Sequence, residues 1–108
     1  MPKYMMMVLS TPAEGREKEY NEWYQNIHLP DILDVDGYTL GQRYRLSRAY
    51  TQDGVFPYAA LYDIETDDID AVMEDMKKRV ESGRMTLSDA LGPQVYAAVY
   101  EEFGSPVS

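Results

Sequence analysis

The chain has 108 residues, of which 44% are hydrophobic and 12% aromatic, enough apolar material for one packed core and too little length for two. We therefore expect a single domain over residues 1–108. The 19 acidic residues outnumber the 10 basic ones and give a formal net charge of −9. Nucleic acids and anionic membrane surfaces attract positively charged proteins, so neither is an expected partner.

The residue types that build most cofactor sites are scarce. Cysteine is absent and His28 is the only histidine, which excludes disulfides, thiolate nucleophiles and multi-histidine metal sites within one chain. The sequence also lacks a glycine-rich phosphate loop and a nucleophile elbow. We therefore predict no metal and no cofactor. Because no apolar run approaches the roughly 20 residues of a membrane span and no signal peptide is recognisable, we expect a cytoplasmic protein.

The start of the chain predicts a strand followed by a helix. Residues 4–10 are a short apolar run that suits a buried strand. From Glu17 the spacing becomes helical, and five residues share one face: Tyr20, Trp23, Tyr24, Ile27 and His28. Pro30 disfavours a helical conformation at the residue before it, so the helix should end or kink near His28. A further short turn is expected over residues 31–35.

Residues 38–47 alternate as a second strand. One face should carry the larger side chains, which are Tyr38, Leu40, Gln42, Tyr44 and Leu46. Arg43 and Arg45 should lie on the opposite face. We interpret residues 51–54 as the loop that follows, because Gly54 and its polar neighbours are typical turn residues.

The second half predicts strand, helix and strand. Residues 57–64 predict a third strand, and Thr66-Asp67-Asp68 supplies an N-cap for a helix over 69–80. Residues 86–91 predict one more helical turn, stopped by Gly92-Pro93. The last strand is expected over residues 95–103. The order is therefore β-α-β-β-α-β, the ferredoxin-like α+β arrangement, with two helices on one face of a four-stranded antiparallel sheet.

The other face of this sheet also needs cover. All four predicted strands carry large apolar or aromatic residues at both parities. An exposed apolar patch of that size is rarely left bare, and one chain has no element left to cover it. We therefore predict a homodimer.

Several motifs together carry a family resemblance. They are Tyr20-Asn21-Glu22-Trp23-Tyr24, Ile27-His28-Leu29-Pro30-Asp31, Val35-Asp36-Gly37-Tyr38 and Gly41-Gln42-Arg43-Tyr44-Arg45-Leu46. The sequence resembles the dimeric α+β barrel superfamily, and within it the EthD-like branch. The resemblance implies a homodimer whose two sheets form a barrel, with a cavity for a small hydrophobic or aromatic ligand. It does not imply one reaction, because the superfamily includes cyclases, dehydratases, isomerases, monooxygenases and haem-degrading enzymes.

His28 is the main catalytic candidate, since imidazole is the side chain that titrates near neutral pH. One interpretation is a general acid or base at the mouth of a cavity, and the family resemblance places the matching histidine near that cavity. The other is a cap on the helix C-terminus. Asp31 could orient the imidazole as a carboxylate does in a catalytic triad. Alternatively, Asp31 caps the next turn or faces water.

Aromatic and polar side chains near this candidate are predicted to bind substrate. We expect five residues to line the cavity: Trp23, Tyr24, Gln42, Tyr44 and Tyr62. Tyrosine hydroxyls would hydrogen-bond a substrate carbonyl or phenol, although sheet and dimer packing explains most of the tyrosines equally well. Arg43 and Arg45 could hold an anionic substrate. We favour ion pairs with the many helix acids instead, because the chain carries an acidic excess.

The leading hypothesis is a small cofactor-independent enzyme that acts on an aromatic or polyketide-like molecule. Proton transfer by His28 would drive cyclisation, dehydration, isomerisation or lyase chemistry, with tyrosines stabilising an enolate or phenolate. A second hypothesis is a non-catalytic protein that binds a hydrophobic metabolite or supports a neighbouring enzyme. A third is oxygenase or haem chemistry with His28 as an axial ligand, which a colourless protein that takes up no haem would exclude.

Overall fold

A computed structural model describes residues 1–51 and 56–108. Its strands and helices are β1 (Lys3–Pro12), α1 (Glu17–Trp23), α2 (Leu29–Leu33), β2 (Tyr38–Arg45), β3 (Tyr58–Glu65), α3 (Ile69–Glu81) and β4 (Leu91–Glu101). The strands form one antiparallel sheet in the order β2-β3-β1-β4. This topology confirms the predicted ferredoxin-like α+β fold. Of the loop predicted over residues 51–54, Thr51 belongs to the described residues and the rest lies outside them.

The core lies between the helices and one face of the sheet. Alternate residues of β3 point into it, as the two-residue period of a strand requires. It is unusually rich in tyrosine, and its buried apolar members are Tyr20, Trp23, Tyr24, Leu29, Ile32, Val35, Tyr38, Tyr58, Ala60, Tyr62, Ile64, Val72, Met85 and Ala90. Within the described residues, no helix is long and apolar enough to cross a membrane.

The first helical region continues past His28, near which the sequence predicted an end or a kink. A π-helical turn, Tyr24–His28, joins α1 directly to α2, and the Leu29 N–H donates to the Tyr24 carbonyl five residues earlier. In an α-helix the Pro30 ring would clash with the carbonyl four residues before it. The wider turn gives that carbonyl room, so the chain stays helical through His28, where an end or a kink was expected.

The same turn corrects the predicted helix face. A π-helical turn holds one residue more than an α-helical turn, so the period shifts by one position. Ile27, expected inside, is 51% exposed. His28 stays on the inner side together with the buried Tyr24.

A β-bulge corrects the predicted faces of β2. Tyr38 is paired with Ile64 and Leu40 with Asp63. Between these pairs β2 advances by two residues and β3 by only one, so β2 contains one extra residue. Tyr38 is therefore buried under the helices and separated from Gln42 and Tyr44, whose face it was predicted to share.

Helix α3 begins where its sequence predicted, after the N-cap residue Asp68. The Asp68 side chain accepts a hydrogen bond from the Ala71 N–H at 3.1 Å, and Thr66 Oγ1 accepts one from the Asp68 N–H at 3.0 Å. Ser82 follows the last helical residue, and Gly83 takes φ +80°. That positive φ is the conformation that glycine adopts readily after a helix.

The helical turn predicted over residues 86–91 is wrong. This segment is an irregular connection, and β4 begins already at Leu91 and runs through Gly92 and Pro93. One backbone hydrogen bond lies within it, from the Leu91 N–H to the Ser88 carbonyl at 3.2 Å, and two of its carbonyls bond to other parts of the chain: the Thr86 carbonyl accepts from the Trp23 Nε1–H, and the Ala90 carbonyl accepts from the Ala13 N–H. These bonds replace the ones a helical turn would supply.

The face of the sheet that points away from the helices is apolar, as predicted. We call it the open face. The strand register puts on it Met5, Met7, Leu9, Leu40, Gln42, Tyr44, Ala59, Leu61, Tyr96, Ala98 and Tyr100, and also the exposed Asp63 between Met5 and Leu40. Leu40, Tyr44 and Tyr100 are 56%, 52% and 47% exposed. In a single chain this surface has no protein layer above it among the described elements.

Candidate functional site

Five aromatic residues pack together between α1, the π-helical turn and β3, and we call them the aromatic cluster: Tyr20, Trp23, Tyr24, Tyr58 and Tyr62. The Tyr20 ring centroid lies 5.6 Å from that of Tyr24 and 5.2 Å from that of Tyr58, in tilted or edge-on contact. Such arrangements are the favourable ones for aromatic quadrupoles. The cluster therefore forms a rigid wall beside the single histidine.

The imidazole ring of His28 packs against two rings of the aromatic cluster. The imidazole stacks on Trp23 with centroids 4.6 Å apart and an interplanar angle of 20°, and it meets Tyr24 edge-on at 5.0 Å. Residues five apart lie about 140° apart around an α-helix and do not touch. The π-helical turn brings Trp23 and His28 to the same side, so the stack depends on that turn.

The environment of His28 favours its neutral form. Burial lowers the pKa of the imidazole to about 4, because a charged ring would lose its hydration there. Its Nδ1 atom is buried and has no hydrogen-bond partner among the described residues. A buried nitrogen without a partner is costly and uncommon, so it marks a place where a partner is missing.

Asp31 does not supply that partner. It lies in the first turn of α2 and is half-buried, and no hydrogen bond joins it to His28 in the part of the chain that the structure describes. The predicted orientation of the imidazole by Asp31 is therefore not formed in this conformation. The cap on a helix end is not formed either, because the helix continues through His28 into α2.

Tyr24 and Tyr62 form a buried hydroxyl pair next to the imidazole. Tyr62 Oη donates to Tyr24 Oη at 3.2 Å, and both side chains are almost fully buried. Burial raises the pKa of Tyr24 to about 12 and that of Tyr62 far above its usual range, so both phenols are protonated at neutral pH. Since Tyr62 donates to Tyr24, the hydroxyl hydrogen of Tyr24 is available for another acceptor.

The predicted binding residues are divided between the two faces of the sheet. Trp23, Tyr24 and Tyr62 meet His28 on the helix side. Gln42 and Tyr44 lie on the open face of the edge strand β2, exposed, where Gln42 Nε2 donates to the Arg43 carbonyl at 3.2 Å. One protomer therefore does not bring all five side chains to one cavity.

The guanidinium of Arg43 packs against three tyrosine rings of the aromatic cluster. Its guanidinium carbon lies 4.8 Å from the Tyr24 ring centroid and 5.6 Å from those of Tyr20 and Tyr58. Cation–π contacts of this kind stabilise a partly desolvated arginine. Neither Arg43 nor Arg45 forms a salt bridge within residues 1–51 and 56–108, so the predicted pairing with helix acids is wrong in that range.

Cavities occur elsewhere on the surface. One of about 400 Å³ opens at the end of the sheet beside Lys3, Asp63 and Tyr100, and one of about 500 Å³ opens beside Gly37 and Val72. A smaller one of about 230 Å³ lies at the edge of β2 next to Arg43. No group of three or more potential metal ligands occurs among the described residues.

Comparison with known proteins shows the fold but no activity. No family model matches the sequence, and no curated protein matches it. An EthD-family protein from Bacillus halodurans matches with a TM-score of 0.66 at 18% identity, over 95% of this chain and 100% of that one. A DABB-family protein with a ferredoxin-like fold from Mesorhizobium loti matches with a TM-score of 0.63 at 14% identity, over 96% of this chain and 100% of that one.

A dimeric ferredoxin-like protein of unknown function from Jannaschia matches with a TM-score of 0.62 at 16% identity, over 93% of this chain and 99% of that one. The chain therefore shares the ferredoxin-like fold of these solved structures. The resemblance that the sequence motifs carry is thus confirmed at the level of the fold. At these identities the likeness leaves the chemistry to be argued from the residues themselves.

Proposed function

We propose that this chain is a small cofactor-independent enzyme in which the neutral imidazole of His28 accepts a proton from an aromatic or polyketide-like substrate. The observation that carries the proposal is the buried Nδ1 atom without a partner among the described residues, in a ring that stacks on Trp23 and meets the Tyr24 ring edge-on. An acidic C–H or O–H group of a substrate would be the missing partner. The proposal rests on His28 and Tyr24 and requires no group from outside the chain.

The chemistry would be a proton relay. Nδ1 takes the proton from the carbon next to a substrate carbonyl, and the electrons of that bond move to the carbonyl oxygen as an enolate. The free hydroxyl hydrogen of Tyr24 donates to this oxygen. The protonated His28 then returns the proton to another carbon in an isomerisation, or to a leaving hydroxyl in a dehydration. A pKa of about 4 favours the return step, because the protonated ring is a strong acid.

Deuterium exchange tests the proposal before the reaction is known. The protein is incubated in D₂O with a panel of aromatic 1,3-dicarbonyl compounds, and deuterium incorporation at the acidic carbon is followed by NMR. We expect the wild type to accelerate exchange of the compounds it binds, and His28→Gln to lose this roughly 100-fold or more. Equal exchange rates in wild type and His28→Gln would overturn the role of His28. Asp31→Asn, whose side chain has no contact with the imidazole, is the matched control and should exchange normally.

A second candidate, binding of a hydrophobic metabolite without chemistry, is favoured by one observation. The pKa of about 4 lies well below neutral pH, where a general base works best, and no described carboxylate raises it. A binding protein would be stabilised by its ligand, by about 2.7 kcal/mol at 100 times the dissociation constant. It would show this stabilisation without any deuterium exchange, so the two candidates are distinguishable in one set of samples.

We also propose that the working form is a homodimer joined through the open face. The support is the row of exposed apolar side chains described above, together with a structural neighbour that is described as dimeric. A second copy would cover Leu40, Tyr44 and Tyr100 and would bring Gln42 and Tyr44 into a shared interior. Trp23, Tyr24 and Tyr62 would remain on the helix side of the sheet, so this interior would be separate from the surroundings of His28.

A further inference from the structure

Arg43 is a cation held only by neutral groups. Its Nη2 donates to Asn21 Oδ1 at 2.7 Å and its Nη1 to the Asn21 carbonyl at 3.5 Å, while three tyrosine rings surround the guanidinium. A guanidinium has five N–H donors. The other three form no hydrogen bond to a described residue, and Nε, which has no hydrogen-bond partner, is not a buried atom. The Nε–H donor therefore reaches accessible space.

Two other described arginines have carboxylate partners, whereas Arg45, Arg48 and Arg84, like Arg43, form no salt bridge to a described residue. Arg16 bonds both Glu19 and Asp89, and Arg79 bonds both Asp34 and Asp75. In a chain with a net charge of −9, carboxylates are plentiful partners for arginine. Within residues 1–51 and 56–108, Arg43 takes none of them. The contrast with Arg16 and Arg79 indicates that the position of Arg43 on β2 leaves its guanidinium available for a negatively charged group from outside the chain.

The accessible space is a defined cavity. It has a volume of about 230 Å³ and is lined by Asn21, Arg43, Tyr44, Arg45 and Tyr58. The volume is below the roughly 300–1,000 Å³ of pockets for drug-sized ligands, so the occupant is small. Arg43 and Arg45 supply charge, and Tyr58, on the same sheet face, supplies surface for an organic part.

We propose that this cavity binds a small organic monocarboxylate, with the carboxylate on the guanidinium of Arg43 and the organic part against Tyr58. Planar guanidinium and carboxylate groups pair through two parallel hydrogen bonds. The Tyr58 hydroxyl donates to the Glu17 carboxylate at the rim, and Asn21 Nδ2 donates to the Tyr58 hydroxyl at 3.1 Å. The nearby charge of Glu17 disfavours a dianion such as phosphate. The site does not include His28, and it meets the residues of the proposed proton transfer only where Arg43 contacts the Tyr24 ring.

Benzoate is the probe for this site, and benzamide is its neutral counterpart of the same shape. Titration at fixed ionic strength, followed by the Nε–H resonance of Arg43 and by calorimetry, should show saturable binding of benzoate only. Arg43→Gln should weaken benzoate binding about 10-fold or more, since it removes a charge-assisted pair. Arg48→Gln is the matched control, an exposed arginine outside the cavity lining, and should bind benzoate like the wild type.

A second variant keeps the test valid if Arg43→Gln does not fold. Glu17→Gln preserves an acceptor for the Tyr58 hydroxyl and removes the negative charge at the rim, so it should tighten benzoate binding severalfold. The proposal is overturned if benzamide binds as tightly as benzoate, if Arg43→Gln binds benzoate normally, or if no saturable shift occurs. Inorganic phosphate binding as tightly as benzoate would overturn the monocarboxylate class.

Discussion

The hydroxyl of Ser10, in the middle of the sheet, lies 2.5 Å from the hydroxyl of Tyr20 on the first helix. Both side chains are buried, at 1% and 0% exposure, and Ser10 is the buried polar residue of this core. Each hydroxyl satisfies the other in a place that water does not reach. This pair fixes the helix against β1 at the end of the aromatic cluster.

Removing one partner of this pair should be more harmful than removing both. Ser10→Ala or Tyr20→Phe leaves one buried hydroxyl unpaired, so each should lower the free energy of unfolding by roughly 1–3 kcal/mol. The double variant should lose less than the sum of the two, with a coupling of roughly 0.5–3 kcal/mol. Urea unfolding of the four proteins measures this cycle. Strict additivity would show that the two hydroxyls do not depend on each other.

His28 should make the protein less stable in mild acid. Its folded-state pKa of about 4 is below the ordinary 6.5, so between these pH values the unfolded chain binds a proton that the folded chain does not. This destabilisation is absent above pH 6.5. As the pH falls from 6.5 to about 4, it lowers the free energy of unfolding by up to roughly 3 kcal/mol. NMR titration of the imidazole measures the folded-state pKa directly, and a value near 6.5 would contradict the burial of the ring.

The variant His28→Phe separates this effect from that of the carboxylates. Phenylalanine keeps the stack on Trp23 and has no unpaired nitrogen, so the variant should be at least as stable as the wild type at neutral pH. The difference in unfolding free energy between the two proteins should grow as the pH falls from 6.5 to about 4. A difference that stays constant over this range would show that His28 does not titrate with folding.

Gly92 should not tolerate a larger side chain. A Cβ atom there would lie 2.5 Å from the Thr11 carbonyl oxygen and 3.1 Å from that of Pro12, where β4 crosses the end of β1. These are backbone atoms that cannot rotate away, so Gly92→Ala should cost roughly 1–3 kcal/mol. Gly41→Ala is the comparison, because its nearest atoms, at 3.2 Å, belong to side chains. Thermal unfolding should rank Gly92→Ala as the less stable variant, and the reverse order would contradict this contact.

A charge on the open face should dissociate the proposed homodimer. Met7 lies between Leu61 and Ala98 near the middle of that face, so Met7→Glu would place a carboxylate in the interface. Sedimentation should show a dimer for the wild type and a folded monomer for Met7→Glu. Val80→Glu, at an exposed position on α3, should remain dimeric. A wild-type protein that sediments as a monomer at micromolar concentration would contradict the dimer.

The fold was predictable because its signals are local and repeated. Alternation along the strands, the helical spacing after Glu17 and the N-cap at Asp68 each agree with the structure. The exposed apolar face followed from the same patterns, since large side chains occur at both parities of the strands. These signals depend on neighbours a few positions away, which a sequence displays directly.

The site was harder to predict because it depends on two irregularities of one residue each. The bulge in β2 moves Tyr38 to the helix face, and the π-helical turn moves Ile27 out to solvent. Strict periodicity cannot register either of them. The surroundings of Arg43 depend on Asn21 and three tyrosines that are distant in sequence, so the acidic excess of the chain was a misleading guide to its partners.

The widened turn between α1 and α2 has the form of a single-residue insertion into an α-helix. Tyr24, Leu29 and Ile32 are all buried at spacings of five and eight, which become the four and seven of a regular helix when one intervening residue is removed. The same deletion turns the Trp23–His28 spacing from five to four, which still places both rings on one side. A relative that is one residue shorter here would therefore present the same stacked imidazole from an unbroken helix. Alignments that search for this histidine should allow a gap of one position between the tryptophan and the histidine, because a segment one residue shorter would build the same geometry.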